Sequence, residues 1–446
     1  MVFKVPKPSE DLLDIIINTV QPNNPHILDL ASKINNFYME QSQSKEDAEE
    51  RESCVNMIKE YIKSDGITRQ IESQGIKIRC LTVFGSFATQ CASKNSDLDL
   101  CVCATYETKK RPLPVTVLQS IYRDLTFNPE SKFFFGGYKI HNISFVQTAK
   151  IPIIRFNMNN ISVDMSASFE KHPPRSSLAA RYINAYCQLD ERFKVLVTFL
   201  KHWLKSEGHP TTHLRDYPNS YSIILMLIHV LQWFDILPNL HKTHKEMFHP
   251  KNYITWSSVD IGHEFKFPLD ENTIALHRKR RSRNYSIVQL LYLFACQYSE
   301  VTIMRFYRFN MRSGDLEERS PMGGAIEIVD VFDSRNPGRT AHSVFDLMGA
   351  TDYLRKMLAY PGCGMFEAVL KITSEKKYLY PMFPYPSYPL MFNIAPSQYN
   401  AYEHRELHHV PQDVQNPPQQ KPQHDIRRNR NNSSMVLQNR TSADTR

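Results

Sequence analysis

The spacing of hydrophobic and polar positions changes several times along this chain. Near residues 9–20 and 26–40, apolar residues recur every three or four positions, which predicts two helices. Gln41–Arg51 is highly polar, and helical spacing resumes at about Ser53–Ile62. Strands are then predicted at about 78–84, 96–103, 151–157 and 161–166, where apolar residues alternate with polar ones or run together. Asn157-Met158-Asn159-Asn160, between the last two, reads as a hairpin turn. From 176 to 236 the pattern is strongly helical, and a less regular stretch with histidines and prolines follows to about 284. A further helix, Ser286–Tyr298, precedes strand-like Thr302–Phe309 and Ala325–Phe332. These elements predict an α+β chain in which a mixed sheet stands beside a mainly helical region.

The strand region carries the most informative chemistry. Leu81–Ala104 reads LTVFGSFATQCASKNSDLDLCVCA. An apolar run ends in Gly85-Ser86, where the chain can approach an anion closely and offer donors to it. Asp97 and Asp99 follow two positions apart, so a strand places both on one face. Adjacent carboxylates imply a cation between them or a raised pKa. A third acid, Asp164, lies in Ile161-Ser162-Val163-Asp164-Met165-Ser166, where Val163 and Met165 alternate with the polar positions. Phosphate donors beside cation-binding carboxylates are the parts of a phosphoryl-transfer site. A lone D-x-D is more often a solvated strand edge; the preceding Gly-Ser and the later Asp164 outweigh that reading.

Those residues, in that order, resemble the DNA polymerase β-like nucleotidyltransferases, and within them the poly(A) polymerase and terminal uridylyltransferase branch. Leu189–Arg192 running into VLVTFLKHWLK (Val195–Lys205), NSYSIILMLIHVLQ (Asn219–Gln232) and VDVFDSRNPGRT (Val329–Thr340) extend the resemblance over roughly residues 50 to 360. It implies a nucleotidyltransferase palm at 51–172, a helical central domain at 173–378, N-terminal helices at 1–50 packing on that central domain, and a tail at 379–446. It also implies template-independent addition of A, U or mixed U/G nucleotides to RNA 3′ ends, in mRNA tail control or small-RNA silencing. Two Mg²⁺ or Mn²⁺ ions are expected on Asp97, Asp99 and Asp164, and the nucleoside triphosphate on Gly85, Ser86, Lys201, Lys205, Ser220, Tyr221, Asp330, Asp333 and Arg335. Lys201 and Lys205 lie four apart and share a helix face that the resemblance turns toward the triphosphate. Tyr221 is expected to stack on the base, which supplies affinity more than selectivity.

The sequence departs from the family pattern in three places. Arg335 stands near where uridylyltransferases carry a histidine. As a fixed cation with donors only, it would favour uracil O4 or guanine O6 over the adenine amino group. Pro337 replaces a small residue. Ala179 replaces an asparagine that contacts the ribose, so sugar recognition is relaxed or supplied by a neighbour such as Arg181 or Asn184. Against an enzyme stands the reading of a silent RNA-binding or scaffold paralogue, which the intact set of three acids disfavours. A same-superfamily enzyme acting without RNA is a second competitor, and the late base-recognition segment disfavours it.

Composition changes this picture little. The formal net charge of +8 over 446 residues fits a polyanionic partner. The eight cysteines include no C-x-x-C pair, and Cys101 and Cys103 read as small core residues in a reducing compartment. No secretory signal or membrane span is evident, so a cytoplasmic location is expected, with a nuclear share allowed. His277–Arg283 is the densest basic run, a candidate RNA contact or nuclear address beside the alternative of a solvated loop. His241, His244 and His249 have loosely metal-like spacing without a cysteine partner. Pro411–Arg446 has no aromatic residue or cysteine and reads as disordered. No RNA-binding module is recognisable, so an RNA-binding protein partner is expected to choose the target.

Overall fold

Ser44 opens the helix that the polar composition of 41–51 conceals. Its hydroxyl accepts the Asp47 amide at 3.1 Å while the Asp47 carboxylate accepts the Ser44 amide at 2.9 Å, a capping box that starts Lys45–Ile62 well before Ser53. The computed structural model describes residues 5, 7–107, 112–128, 137–149, 151–169, 174–207, 217–252, 269–279, 284–319, 325–341 and 344–360. The tail expected from 379 onward lies outside the described residues.

Five strands form the first sheet: β1 (Ile76–Phe84), β2 (Leu98–Tyr106), β3 (Ile140–Val146), β4 (Ile153–Met158) and β5 (Ile161–Ser168), in the order β1-β2-β5-β4-β3. β2 and β5 run parallel and every other pair is antiparallel. The sheet is therefore mixed. β3 and the helix Pro114–Phe127 extend it beyond the elements read from the sequence. Leu98, Leu100, Val102, Val163 and Met165 point into one core with Val55, Ile58, Val117 and Ile121 from the helices on that side. The intervening positions, Asp99 and Asp164 among them, are left to the opposite face.

That opposite face looks onto helices Arg175–Leu189 and Glu191–Glu207. The central helix Ser220–Trp233 is buried along nearly its whole length, and Trp203, Trp233, Tyr182 and Tyr186 fill the core around it. Helices Glu10–Asn18 and Pro25–Gln41 pack against Ile287–Ser299, and the second also lies along Glu191–Glu207. Val301–Phe306 is a short helix that gives way to strand β6 (Tyr307–Asn310), which corrects the strand expected from Thr302. Its β-branched, alternating composition suits a strand, but position in the fold decides. β6 pairs with β7 (Asp315–Glu318) and β8 (Ile328–Val329) in a second, three-stranded sheet. Among the described residues, no helix is long and apolar enough to cross a membrane.

Candidate active site

The parallel pairing of β2 with β5 sets Asp99 opposite Asp164, and β1 sets Phe84 opposite Asp99 on the other side. Gly85 follows at once with φ +67°, in the left-handed region that favours glycine. A Cβ there would stand 1.8 Å from Asp99 Oδ2, so only glycine lets the chain pass over this carboxylate. Burial, then Asp164, then Asp97 push Asp99 up to about 7. Lys201 and Arg155 act in the opposite sense.

Asp97 sits just before β2, on a loop held from beneath. Arg51, buried in the helix Lys45–Ile62, donates to the Lys94 carbonyl at 2.6 Å and the Ser96 carbonyl at 3.2 Å. Asp164 takes two bonds from Arg155 of the neighbouring strand β4, Nε to Oδ1 at 2.7 Å and Nη2 to Oδ2 at 2.6 Å. Among the described residues, no three His, Cys, Asp or Glu side chains form a ready-made ion cluster. Both oxygens of Asp164 are turned to Arg155 instead. Even so, the donors suit a hard divalent cation. All are carboxylates, and Asp99 carries an electrostatic load from both of its acidic neighbours that a cation would relieve.

Asp97 and Asp99 line a cleft of about 1380 Å³ with Gly85, Ser86, Lys201, Lys205, Ser220, Tyr221, Asp330, Asp333 and Arg335. The structure thus gathers eleven of the twelve expected site residues on one surface; Asp164 lies beside Asp99 but is absent from the lining. Lys201 Nζ donates to the Cys91 carbonyl at 3.3 Å, and burial lowers its pKa below the usual lysine value. Lys205 lies exposed one turn further on.

The far wall is built around Asp330. Its Oδ1 accepts the amides of Phe332 and Asp333 at 2.7 and 3.0 Å, and its Oδ2 accepts the Tyr221 hydroxyl at 2.7 Å. The Asp330 carboxylate, at the cleft wall, thus shapes the loop and fixes Tyr221. Burial and Asp330 together hold Tyr221 protonated, well above the usual tyrosine value. Asn219 caps the helix of Tyr221 through the Ser222 amide and also donates to the Pro337 carbonyl at 3.2 Å, joining this helix to the late loop. Asn336 braces that loop by donating to the Ile326 carbonyl and accepting the Ile328 and Gly338 amides.

Asp333 binds two guanidinium groups. Arg175 Nη1 reaches Oδ1 at 2.6 Å, while Arg335 places Nε and Nη2 at 2.8 and 2.7 Å from Oδ2. Burial would raise this carboxyl, but the two arginines hold it at about 2. Neither neighbour expected to compensate for Ala179 lines the cleft. Asn184 is fully buried and bonded to Ala88 and Gln188, and Arg181 is buried away from the cleft lining. Arg175, one helical turn before Ala179, lines the cleft in their place.

Arg51, Arg155 and Arg175 were not singled out in the sequence. Arg155 could have been found from the β4–β5 hairpin, which pairs it with Asp164. Arg51 and Arg175 make contacts far apart in sequence and left no local signal. Of the basic run, His277 is buried 3.5 Å from Asp190, and 280–283 lie outside the described residues. His241 packs on Phe248, and His244 faces Asp270 at 3.2 Å.

Residues 30–170 match the family model of the central palm domain of mitochondrial-like poly(A) RNA polymerases. That segment is similar to the palm of the poly(A) polymerase-like nucleotidyltransferases. Caffeine-induced protein 16 of Schizosaccharomyces pombe is 28% identical over 306 residues, covering 67% of this chain and 22% of that protein. Terminal uridylyltransferase cid1 of the same yeast is 30% identical over 168 residues, covering 36% of this chain and 37% of cid1. The chain thus spans well under half the length of these curated relatives. The solved GLD-2/RNP-8 complex shares the fold at a TM-score of 0.55 and 22% identity, covering 77% of this chain and 98% of that one. Asp97, Asp99 and Asp164 all fall inside the matched palm segment.

Proposed function

We propose that this nucleotidyltransferase adds ribonucleotides to RNA 3′ ends without a template. The observation that carries the reading is the grouping of Asp97, Asp99 and Asp164 around Gly85-Ser86, with Lys201 and Tyr221 on the same cleft. In this reading Asp97, Asp99 and Asp164 hold two Mg²⁺ or Mn²⁺ ions. Held by these carboxylates, such ions would make an attacking 3′-hydroxyl more acidic and would neutralise a leaving pyrophosphate. Asp164 exchanges Arg155 for this role, and Arg155 remains beside it as a fixed positive charge. Ser86 donates to the β- and γ-phosphates, and Lys201 turns its ammonium from the Cys91 carbonyl toward the triphosphate. Tyr221, oriented by Asp330, carries the base on its ring face.

Base choice lies with the late loop. Arg335, pinned by Asp333, presents donors only, which favours a carbonyl edge such as uracil O4 or guanine O6. Target choice lies with an RNA-binding protein partner, as the partnered GLD-2/RNP-8 structure supports. The cytoplasm, with a nuclear share, is the compartment where mRNA tail control or small-RNA silencing would employ such an enzyme.

The test is extension of a labelled RNA oligonucleotide with Mg²⁺ or Mn²⁺ and each nucleoside triphosphate in turn, followed by sequencing of the products. Extension with a preference for UTP or GTP over ATP supports both the activity and the role of Arg335. Extension with ATP alone overturns the base assignment. Failure with all four nucleotides, with candidate RNA-binding partners also present, favours a silent scaffold.

A further inference from the structure

Cys91 and Cys187 are separated by 96 positions in sequence, yet their Sγ atoms stand 3.4 Å apart. Cys91 belongs to the segment that leaves Ser86: its amide donates to the Ser86 carbonyl at 3.1 Å, and its own carbonyl accepts Lys201 Nζ at 3.3 Å. Cys187 lies in the helix Arg175–Leu189, on the other side of the junction. Both thiols are buried, and Cys91 also belongs to the wall of the cleft.

We propose that Cys91 and Cys187 form a reversible oxidation site at which a hydroperoxide installs a disulfide between the phosphate-side turn and the helical region. The Cys91 thiolate attacks one peroxide oxygen, the O–O bond breaks, and a sulfenic acid and hydroxide result. Cys187 sulfur then attacks the Cys91 sulfur, the S–O bond breaks, and the departing hydroxide takes the Cys187 proton as water. Two thiols lose two electrons in total, and hydrogen peroxide is reduced to two waters.

The surroundings assign the two roles. Contact with Cys187 lowers the Cys91 pKa, burial opposes this, and Lys201 and Lys194 add to the lowering. Burial, followed by the neighbouring Cys91, raises the Cys187 pKa. Cys91, which borders the cleft and whose carbonyl holds the Lys201 ammonium, is the attacking sulfur and Cys187 the resolving one. Tyr38 also faces the pair. A second thiol pair makes an internal comparison: Cys80 and Cys103 stand opposite each other on β1 and β2. There the Cys103 thiol and burial raise the Cys80 pKa, and Cys103 is itself pushed up to about 12, led by contact with Cys101. Neither thiol of that pair borders the cleft.

Closing the Cys91–Cys187 bond brings the sulfurs from 3.4 Å to about 2.05 Å, and any part of that movement taken up by the backbone displaces the Ser86–Cys91 segment. The Cys91 carbonyl moves with it, and so does the resting place of Lys201. This functional consequence rests on the reading of the cleft as a nucleotide site; the linkage itself does not.

The full chain is treated with hydrogen peroxide, remaining thiols are alkylated under denaturing conditions, and non-reduced peptides are mapped by mass spectrometry. A Cys91–Cys187 peptide forming before any Cys80–Cys103 link, and cleaved by dithiothreitol, is expected. Oxidation should also raise the melting temperature, because the link restricts the unfolded chain. Recovery of Cys91 and Cys187 as alkylated thiols, or prior linkage of Cys80 to Cys103, overturns the proposal. RNA extension is then read separately. Peroxide should cut wild-type extension at least fivefold, with recovery in dithiothreitol, while Cys187→Ala should form no disulfide at Cys91 and instead carry a Cys91 sulfenic acid that dimedone traps. A fully formed disulfide with unchanged extension refutes the regulatory consequence. The mapping needs no RNA, so it stands or falls independently of the proposed activity.

Discussion

Asp99 combines the steric and electrostatic constraints of the site. It is flanked by the backbone of Gly85, by Asp164 across the sheet and by Asp97 two residues earlier. Its carboxyl is pushed up to about 7, above the 3.8 of an unperturbed aspartate. Between those values the folded chain binds more protons at this position than the unfolded chain does. Without bound ions, this group therefore makes stability fall as pH rises from about 4 to about 7, and the penalty persists above that range. Asp99→Asn removes the charge that the site opposes. The variant should melt higher than wild type at pH 8 in chelator, with the difference shrinking toward pH 4, and it should lose RNA extension. Scanning calorimetry across pH checks the stability half, and an unchanged or lowered melting temperature at pH 8 would count against this electrostatic account. Mn²⁺ should reverse the order at pH 8 by stabilising only the wild type, because ions bind the deprotonated carboxylates.

At the scale of elements, the three acids were legible because strands have a period of two. Alternation alone set Asp99 against Leu98 and Leu100 and separated Asp164 from Val163 and Met165, whereas Asp97, expected on the same strand face, lies on the loop just before β2. What sequence could not supply was register and contact between distant elements. The parallel pairing of β2 with β5 that sets Asp99 opposite Asp164 joins strands far apart in sequence, unlike the β4–β5 hairpin that brings Arg155 to Asp164. Arg175 meets Asp333 across 158 positions. The helix Lys45–Ile62 was hidden at its start because a solvated helical face is as polar as a loop, and only the Ser44–Asp47 box marks its beginning. That helix does more than cover the sheet, since Arg51 holds the two carbonyls just before Asp97. Arg51→Met keeps the buried stem and removes the donors. It should lower kcat for extension at least tenfold with a smaller change in nucleotide KM, and circular dichroism should show the helix retained. A variant with full kcat would show that the Asp97 loop holds its shape without Arg51.

At the scale of the whole molecule, the sheet supplies the acids and the Gly-Ser turn, while the helical region supplies Lys201, Tyr221 and the late loop. The cleft exists only where these meet, so the site is a property of the long-range fold and of no single segment. This also explains why the general chemistry was legible from local motifs while base and sugar selection were not. Asp330, expected at the base, fixes Tyr221 at the cleft wall, and the position of Ala179 is flanked by Arg175 rather than by Arg181 or Asn184. The central claim is that Asp97 and Asp99 drive nucleotidyl transfer to an RNA 3′ end. The most direct measurement compares wild type with the Asp97→Ala, Asp99→Ala double variant in RNA extension at saturating nucleotide and Mn²⁺, with both proteins shown to be folded. The account predicts stoichiometric pyrophosphate release and RNA growth by wild type, and a loss of at least a thousandfold in the variant. Equal extension by the two proteins would contradict it.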